Sequence, residues 1–227
     1  MLSVVFFLLF FSHLALFVWT LRLRRAGLPV LILRCLLLAL AFDNLVIALG
    51  PFLMPSGLYV SLSMLRFWVH AILLPLLLVF VAGVVQGFSN RLRPWLFGIA
   101  WALAGLAIAY GYLFDLAPLK LVPADYYPRL VAADGQPPFA TIAVNLCVVL
   151  AGVWVWRCGR WPWLFLGALQ IFVINGAAAG REWGFIFGNI AELVFVVSLL
   201  ATLIRVLALQ DGRSDLGDAG RGLAGKL

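Results

Sequence analysis

The sequence predicts an all-α, polytopic integral membrane protein: a seven-transmembrane-helix bundle over residues 1–210, followed by a disordered cytoplasmic tail over 211–227. Three observations predict it. Hydrophobic residues make up 65% of the chain and charged residues 11%, whereas an ordinary soluble domain is about half apolar and about a quarter charged. Mean hydropathy is +1.12. The apolar residues are gathered into runs of about 20, the length needed to cross roughly 30 Å of hydrocarbon. A water-soluble fold of 227 residues could not hide that much apolar surface.

The first run, about 3–21, has no basic stretch before it and no small-residue cleavage site, and its charges Arg22, Arg24 and Arg25 follow it. It reads as a retained helix rather than a signal peptide. The second run, 28–53, ends at Met54-Pro55-Ser56-Gly57, and the third, 58–87, at Phe88-Ser89-Asn90-Arg91. The fourth, 94–114, carries Gly98, Ala102, Gly105 and Ala109 at four-three-four spacing, a small-residue ridge that would let a neighbouring helix approach closely. A long loop over 115–138 holds five prolines and the pair Tyr126-Tyr127. Loops of that length are often either functional lids or disordered, and the proline and aromatic content favours an ordered cap on the membrane surface. The fifth, sixth and seventh runs are 139–156, 161–179 and 184–209. Beyond Gln210 the chain is too polar and Gly-rich to pack.

Loop charge sets the orientation. Arg22, Arg24 and Arg25, then Arg91 and Arg93, then Arg157 and Arg160, then Arg213, Arg221 and Lys226 fall in alternate connections. The other connections are uncharged or mixed, as with Lys120 and Arg129 against Asp115, Asp125 and Asp134. The positive-inside rule puts the first set in the cytoplasm, so the N-terminus lies outside and the C-terminus inside. Six tryptophans (Trp19, Trp95, Trp154, Trp156, Trp161, Trp163) crowd the expected cytoplasmic boundary, as an interfacial belt would. The net charge of +7 is thereby accounted for by topology, and nucleic acid is excluded as a partner. Short loops and the Arg/Gly-rich tail fit a bacterial inner (plasma) membrane. Cys35, Cys147 and Cys158 offer neither a disulfide framework nor metal-ligand spacing.

Four ionisable side chains stand inside these runs: Asp43, Arg66, His70 and Glu192. Each is costly in lipid and calls for a partner, a wet cavity or a function. At 1.5 Å per residue, Asp43 lies about 16 Å below the outer end of its span, Arg66 roughly 12 Å, His70 roughly 18 Å and Glu192 about 12 Å. All four share one slab in the outer half. Arg66 and His70, four apart, stack on one helical side, and Asn189 and Glu192 share another. His13, Asn145, Gln170 and Asn175 reach similar depth, while Asn44 points about 100° away from Asp43. These positions predict a polar cavity opening outward, with Asp43, His70 and Glu192 as acid/base groups and Arg66, Asn44, Asn189, Gln170 and Asn175 as ligand contacts. Arg34 and Arg205, near the cytoplasmic ends of their spans, are expected to snorkel to the headgroups.

Each of these residues also has a plain structural role available. Arg66 can neutralise Asp43 or Glu192, and His70 can bond a backbone carbonyl. A metal site from His13, His70, Asp43 and Glu192 has no support in their spacing, so no metal is expected. The function that suits the set best is binding or acid/base processing of a lipophilic or amphipathic, lipid-like molecule, with membrane lipids as partners. An enzyme of this kind would be a hydrolase or transferase that activates water, because no Gly-x-Ser-x-Gly or His-Glu-x-x-His is present. A proton-coupled transporter or sensor is the alternative, weakened by the lack of an inverted repeat. A structural subunit bound to other membrane proteins is the third. The sequence names no cofactor. The resemblance to rhodopsins is one of topology only: the seventh span has no Lys, so there is no retinal.

Overall fold

The computed structural model describes residues 1–23, 27–89, 93–133 and 137–224, with 213–224 as backbone only. Arg24, Arg25, Arg91, Asp134 and Lys226, invoked above for orientation, lie outside the described residues. The chain is 80% helical. Its helices are α1 (Leu2–Thr20), α2 (Leu28–Leu53), α3 (Gly57–Leu73), α4 (Leu77–Phe88), α5 (Pro94–Tyr110), α6 (Phe139–Gly159), α7 (Trp163–Ala178) and α8 (Gly184–Ala224). A six-residue π-helical turn, Gly111–Leu116, continues α5. Among the described residues, six segments are long and apolar enough to cross a membrane, with Gly57–Phe88 counted as one and the last running Gly184–Gly212. The apolar helix α7, at 16 residues, is shorter.

The third run is therefore two helices rather than one. Pro75 has no N–H to donate and its ring crowds the carbonyl four residues back. Around it the chain switches to i→i−3 bonds: Leu76 to Leu73, Leu77 to Leu74, Leu78 to Pro75 and Val79 to Leu76, each 3.0–3.1 Å. Pro51, by contrast, stays inside the last turn of α2. The backbone of α8 runs on to Ala224, where the sequence reading places a disordered tail.

Helix α2 is the centre of the bundle. Leu33, Leu36, Leu37, Leu40, Val46 and Ile47 are all buried, while Leu31, Leu38 and Phe52 stay exposed, so most but not all of the helix surface is covered by neighbours. The main core joins α2 to α4, α5, α6, α7 and α8. Large apolar side chains such as Leu8, Phe11, Trp95, Leu106, Leu150 and Val173 face outward around it. A surface of that kind is a liability in water and ordinary in lipid.

Among the described residues, no helix lies against the glycines of the α5 ridge. A side chain at Gly98 or Gly105 would meet nothing within 4 Å. The close approaches are made elsewhere: Gly152 lets α6 lie against the backbone of α7 at Phe165, and Gly167 lets α7 lie against Ser198 of α8. Arg34 reaches the C-terminal end of α1: its Nη2 donates to the Thr20 carbonyl at 2.7 Å and its Nε to Thr20 Oγ1 at 3.4 Å. The last carbonyls of α1 have no intrahelical donor, and a cation is favoured at that helix end.

The described part of the long loop carries a hairpin that packs on the helices. Strands β1 (Leu121–Pro123) and β2 (Leu130–Ala132) pair antiparallel, with Val122 opposite Val131. The tip of this hairpin enters the bundle. Tyr127 is buried, its ring 5.9 Å from Phe6 and 6.0 Å from Phe185, and its hydroxyl lies 2.7 Å from Ser3 Oγ. Pro128 closes over α2 at Gly50, where any side chain would collide with its carbonyl.

Candidate functional site

Helix α3 begins firmly because Ser56 accepts a hydrogen bond from the Tyr59 N–H at 3.2 Å, a serine N-cap. From that start, Tyr59, Ser63 and Arg66 fall on the buried side, while Leu65 and Trp68 face out. His70 comes one turn after Arg66, just before the Pro75 break.

These residues meet Asp43 of α2. Arg66 Nε lies 3.3 Å from Asp43 Oδ1, and His70 Nδ1 lies 3.8 Å from the same oxygen. His70 Nδ1 also donates to the Arg66 carbonyl at 3.2 Å. Arg66 Nη2 donates to the Leu130 carbonyl of the hairpin at 3.3 Å. One guanidinium thus ties α2, α3 and β2 together. Glu192, from α8, brings a carboxylate oxygen to the same place: ligand atoms of Asp43, His70 and Glu192 all lie within 4.8 Å of one another. Glu192 Oε2 is sealed from solvent and has no hydrogen-bond partner.

The four residues chosen for their cost in lipid are thus brought together. The amides around them are not equally involved. Asn44 and Asn189 turn back on their own helices, donating to Leu40 and Phe185 carbonyls at 2.8 and 2.7 Å. Gln170 ties α7 to α8 through the Ala191 carbonyl at 2.7 Å. Asn175 is exposed on α7 but joins Glu192 in lining a cavity. His13 is fully buried, with Nδ1 donating to Leu9 at 2.8 Å, and stands outside the Asp43–His70–Glu192 group.

Two cavities adjoin the cluster. One, of about 320 Å³, is walled by Phe67, His70 and Ala71 of α3, by Phe114, Asp115 and Leu116 of the π turn, by Leu119 and Lys120 of the loop and by Thr141 of α6. Phe114 and Lys120 are exposed at its rim. The other, of about 60 Å³, holds Glu192, Asn145 and Asn175 among leucines, and Thr141 borders both. A third, of about 290 Å³, lies at the opposite end of the bundle among Pro29, Gly83 and Val206 and has no ionisable lining.

The hairpin adds a further cation. Arg129 lies over the Phe185 ring, 3.7 Å from its centroid. Burial holds its guanidinium below the usual arginine pKa, and the like charge of Arg66 adds to that. Sequence reasoning missed three participants: the Leu130 carbonyl, Lys120 and Thr141. Lys120 was visible only as a loop charge, and a backbone carbonyl leaves no mark in a sequence.

No family model, curated protein or solved structure matches this chain.

Proposed function

We propose that this chain is a seven-span membrane protein that binds an amphipathic, lipid-like small molecule in the cavity beside His70 and performs acid/base chemistry on it. The observation that carries the reading is the double position of His70. It stands 3.8 Å from Asp43 and forms part of the wall of the 320 Å³ cavity. The contact with Asp43 and the Arg66 carbonyl orients Nδ1, leaving the other ring nitrogen to accept or donate a proton. Phe67, Phe114, Leu116 and Leu119 suit an apolar tail, and Lys120 suits an anionic headgroup. Arg66 acts through Asp43, because its guanidinium is engaged by that carboxylate and by Leu130.

The count of seven treats the short helix α7 as a span. In favour of it, α7 lies along both neighbours, at Gly152–Phe165 on one side and Gln170–Ala191 on the other. With loop charge as read above, the N-terminus is outside, the C-terminus is cytoplasmic, and the hairpin caps the outer face. A bacterial inner membrane fits this arrangement, with bulk lipid as the surrounding partner.

The test is mass spectrometry of the small molecules that leave the membrane with the gently extracted protein. One class of amphiphile should be enriched over bulk lipid, and Ala71→Trp, which fills the cavity, should abolish the enrichment. A co-purifying mixture identical to bulk lipid in both proteins overturns the reading.

A second reading has one observation in its favour. Asp43, His70 and Glu192 form a chain of proton-carrying groups between two cavities, the parts of a proton relay. Dissipation of an imposed pH gradient in proteoliposomes, lost in Glu192→Gln, would establish transport instead.

A further inference from the structure

We propose that Asp43, His70 and Glu192 form a binding site for one divalent transition-metal ion of the zinc or manganese class. The inference deepens the reading above and rests on the same cluster being the working site.

Three helices, α2, α3 and α8, each deliver one donor to a single point. The carboxylate oxygens of Asp43 and Glu192 and a ring nitrogen of His70 lie within 4.8 Å of one another. Ligand bonds of about 2.0–2.2 Å place the donors of a tetrahedral ion about 3.5 Å apart, so modest side-chain rotation closes the set. Two carboxylates and one imidazole are hard-to-borderline donors, which suits Zn²⁺, Mn²⁺ or Fe²⁺ rather than Cu⁺.

The second observation is the state of Glu192. Its Oε2 is sealed from solvent with no hydrogen-bond partner, and among the described residues it forms no salt bridge. Among the described residues, the close ion pair of Arg66 is with Asp43 and not with Glu192. A carboxylate oxygen held from solvent without a partner is costly in its charged form, and a cation coordinated jointly by the three side chains would offset that cost. The surroundings also resemble the support a metal site requires. The Arg66 carbonyl, 3.2 Å from His70 Nδ1, takes that nitrogen's proton in a hydrogen bond and leaves Nε2 as the one that would bind the ion, while Arg66 holds Asp43, so two of the three ligands are oriented by neighbours. Such an ion would polarise a bound water next to the 320 Å³ cavity, in a chain that has no serine elbow.

The experiment uses the full chain in mild detergent, stripped with chelator and reloaded with Zn²⁺ or Co²⁺ alone. Elemental mass spectrometry should find about one ion per chain, and His70→Ala and Glu192→Gln should each weaken binding by at least about tenfold. Co²⁺ should give ligand-field absorption without the charge-transfer band of a thiolate. A wild-type chain that takes up neither ion overturns the proposal. So does unchanged affinity in the two folded variants, or a thiolate band placing the ion on a cysteine. If neither variant folds, wild-type stoichiometry and the Co²⁺ spectrum decide alone. Amphiphile enrichment measured on the same samples separates the two ideas: enrichment without metal uptake sinks the ion and keeps the cavity reading, and metal uptake without enrichment does the reverse.

Discussion

Arg66 Nε lies 3.3 Å from Asp43 Oδ1, joining α3 to α2 inside the bundle, and the same guanidinium reaches the Leu130 carbonyl of the cap. Both partners are buried. A buried pair adds little net stability over an apolar one, but removing one partner strands the other, at about 3–5 kcal/mol. Arg66→Met should therefore lower Tm in detergent sharply. Asp43→Asn in the same background removes the stranded charge, so the double variant should recover part of the loss. A double variant no more stable than Arg66→Met would mean that Asp43 carries no charge needing a partner.

Arg34 makes a different kind of bond. It closes the C-terminal turn of α1 through Thr20, at 2.7 Å to the carbonyl. A hydrogen bond from a charged donor contributes about 1.5–3 kcal/mol, and the helix dipole favours a cation there. Arg34→Ala should lower Tm and speed amide hydrogen exchange first in the last turn of α1. Arg34→Gln, which keeps donors without charge, should fall between. Exchange unchanged in α1 would mean that the side chain serves the headgroups after all.

Much of the site was legible because lipid makes polarity conspicuous. Asp43, Arg66, His70 and Glu192 stood out as costly, and their common depth followed from helical rise alone. What the depth argument could not supply was direction. Asn44 and Asn189 lie at suitable levels, yet each bonds a carbonyl four residues back on its own helix. Pro75 was visible too, but prolines are frequent in membrane helices, and only the run of i→i−3 bonds shows that this one divides α3 from α4. Proline and aromatic content favoured order in the loop, and its described part does pair as a hairpin. Its bond to Arg66 was not, because the acceptor is the Leu130 backbone.

The glycines show the same limit, and they can be tested as a pair. A Cβ on Gly152 would lie 2.6 Å from Phe165 Cα, whereas one on Gly98 meets nothing within 4 Å. Backbone cannot yield as a flexible side chain does, so Gly152→Ala should separate α6 from α7 and cost about 1–3 kcal/mol. Gly98→Ala should be neutral or stabilise by up to about 1 kcal/mol through helix propensity. Equal Tm values for the two variants would contradict the close α6–α7 contact.

The cap also sets a pH response through Tyr127, which lies outside the membrane-spanning segments. Burial raises the pKa of its phenol, while the hydrogen bond with Ser3 pulls the other way, and the net shift is upward. The folded state therefore holds the Tyr127 proton to higher pH than the unfolded chain does. Above the unfolded value of about 10, the unfolded state binds fewer protons, and stability falls as pH rises. The contribution is fully present below that value and is lost as the pH climbs through the folded pKa. Detergent-phase Tm measured from pH 8 upward should stay level and then decline beyond about pH 10. Tyr127→Phe should flatten that decline, at the expense of the Ser3 bond at lower pH. An equally steep decline in the variant would assign the response to other buried phenols, Tyr59 among them.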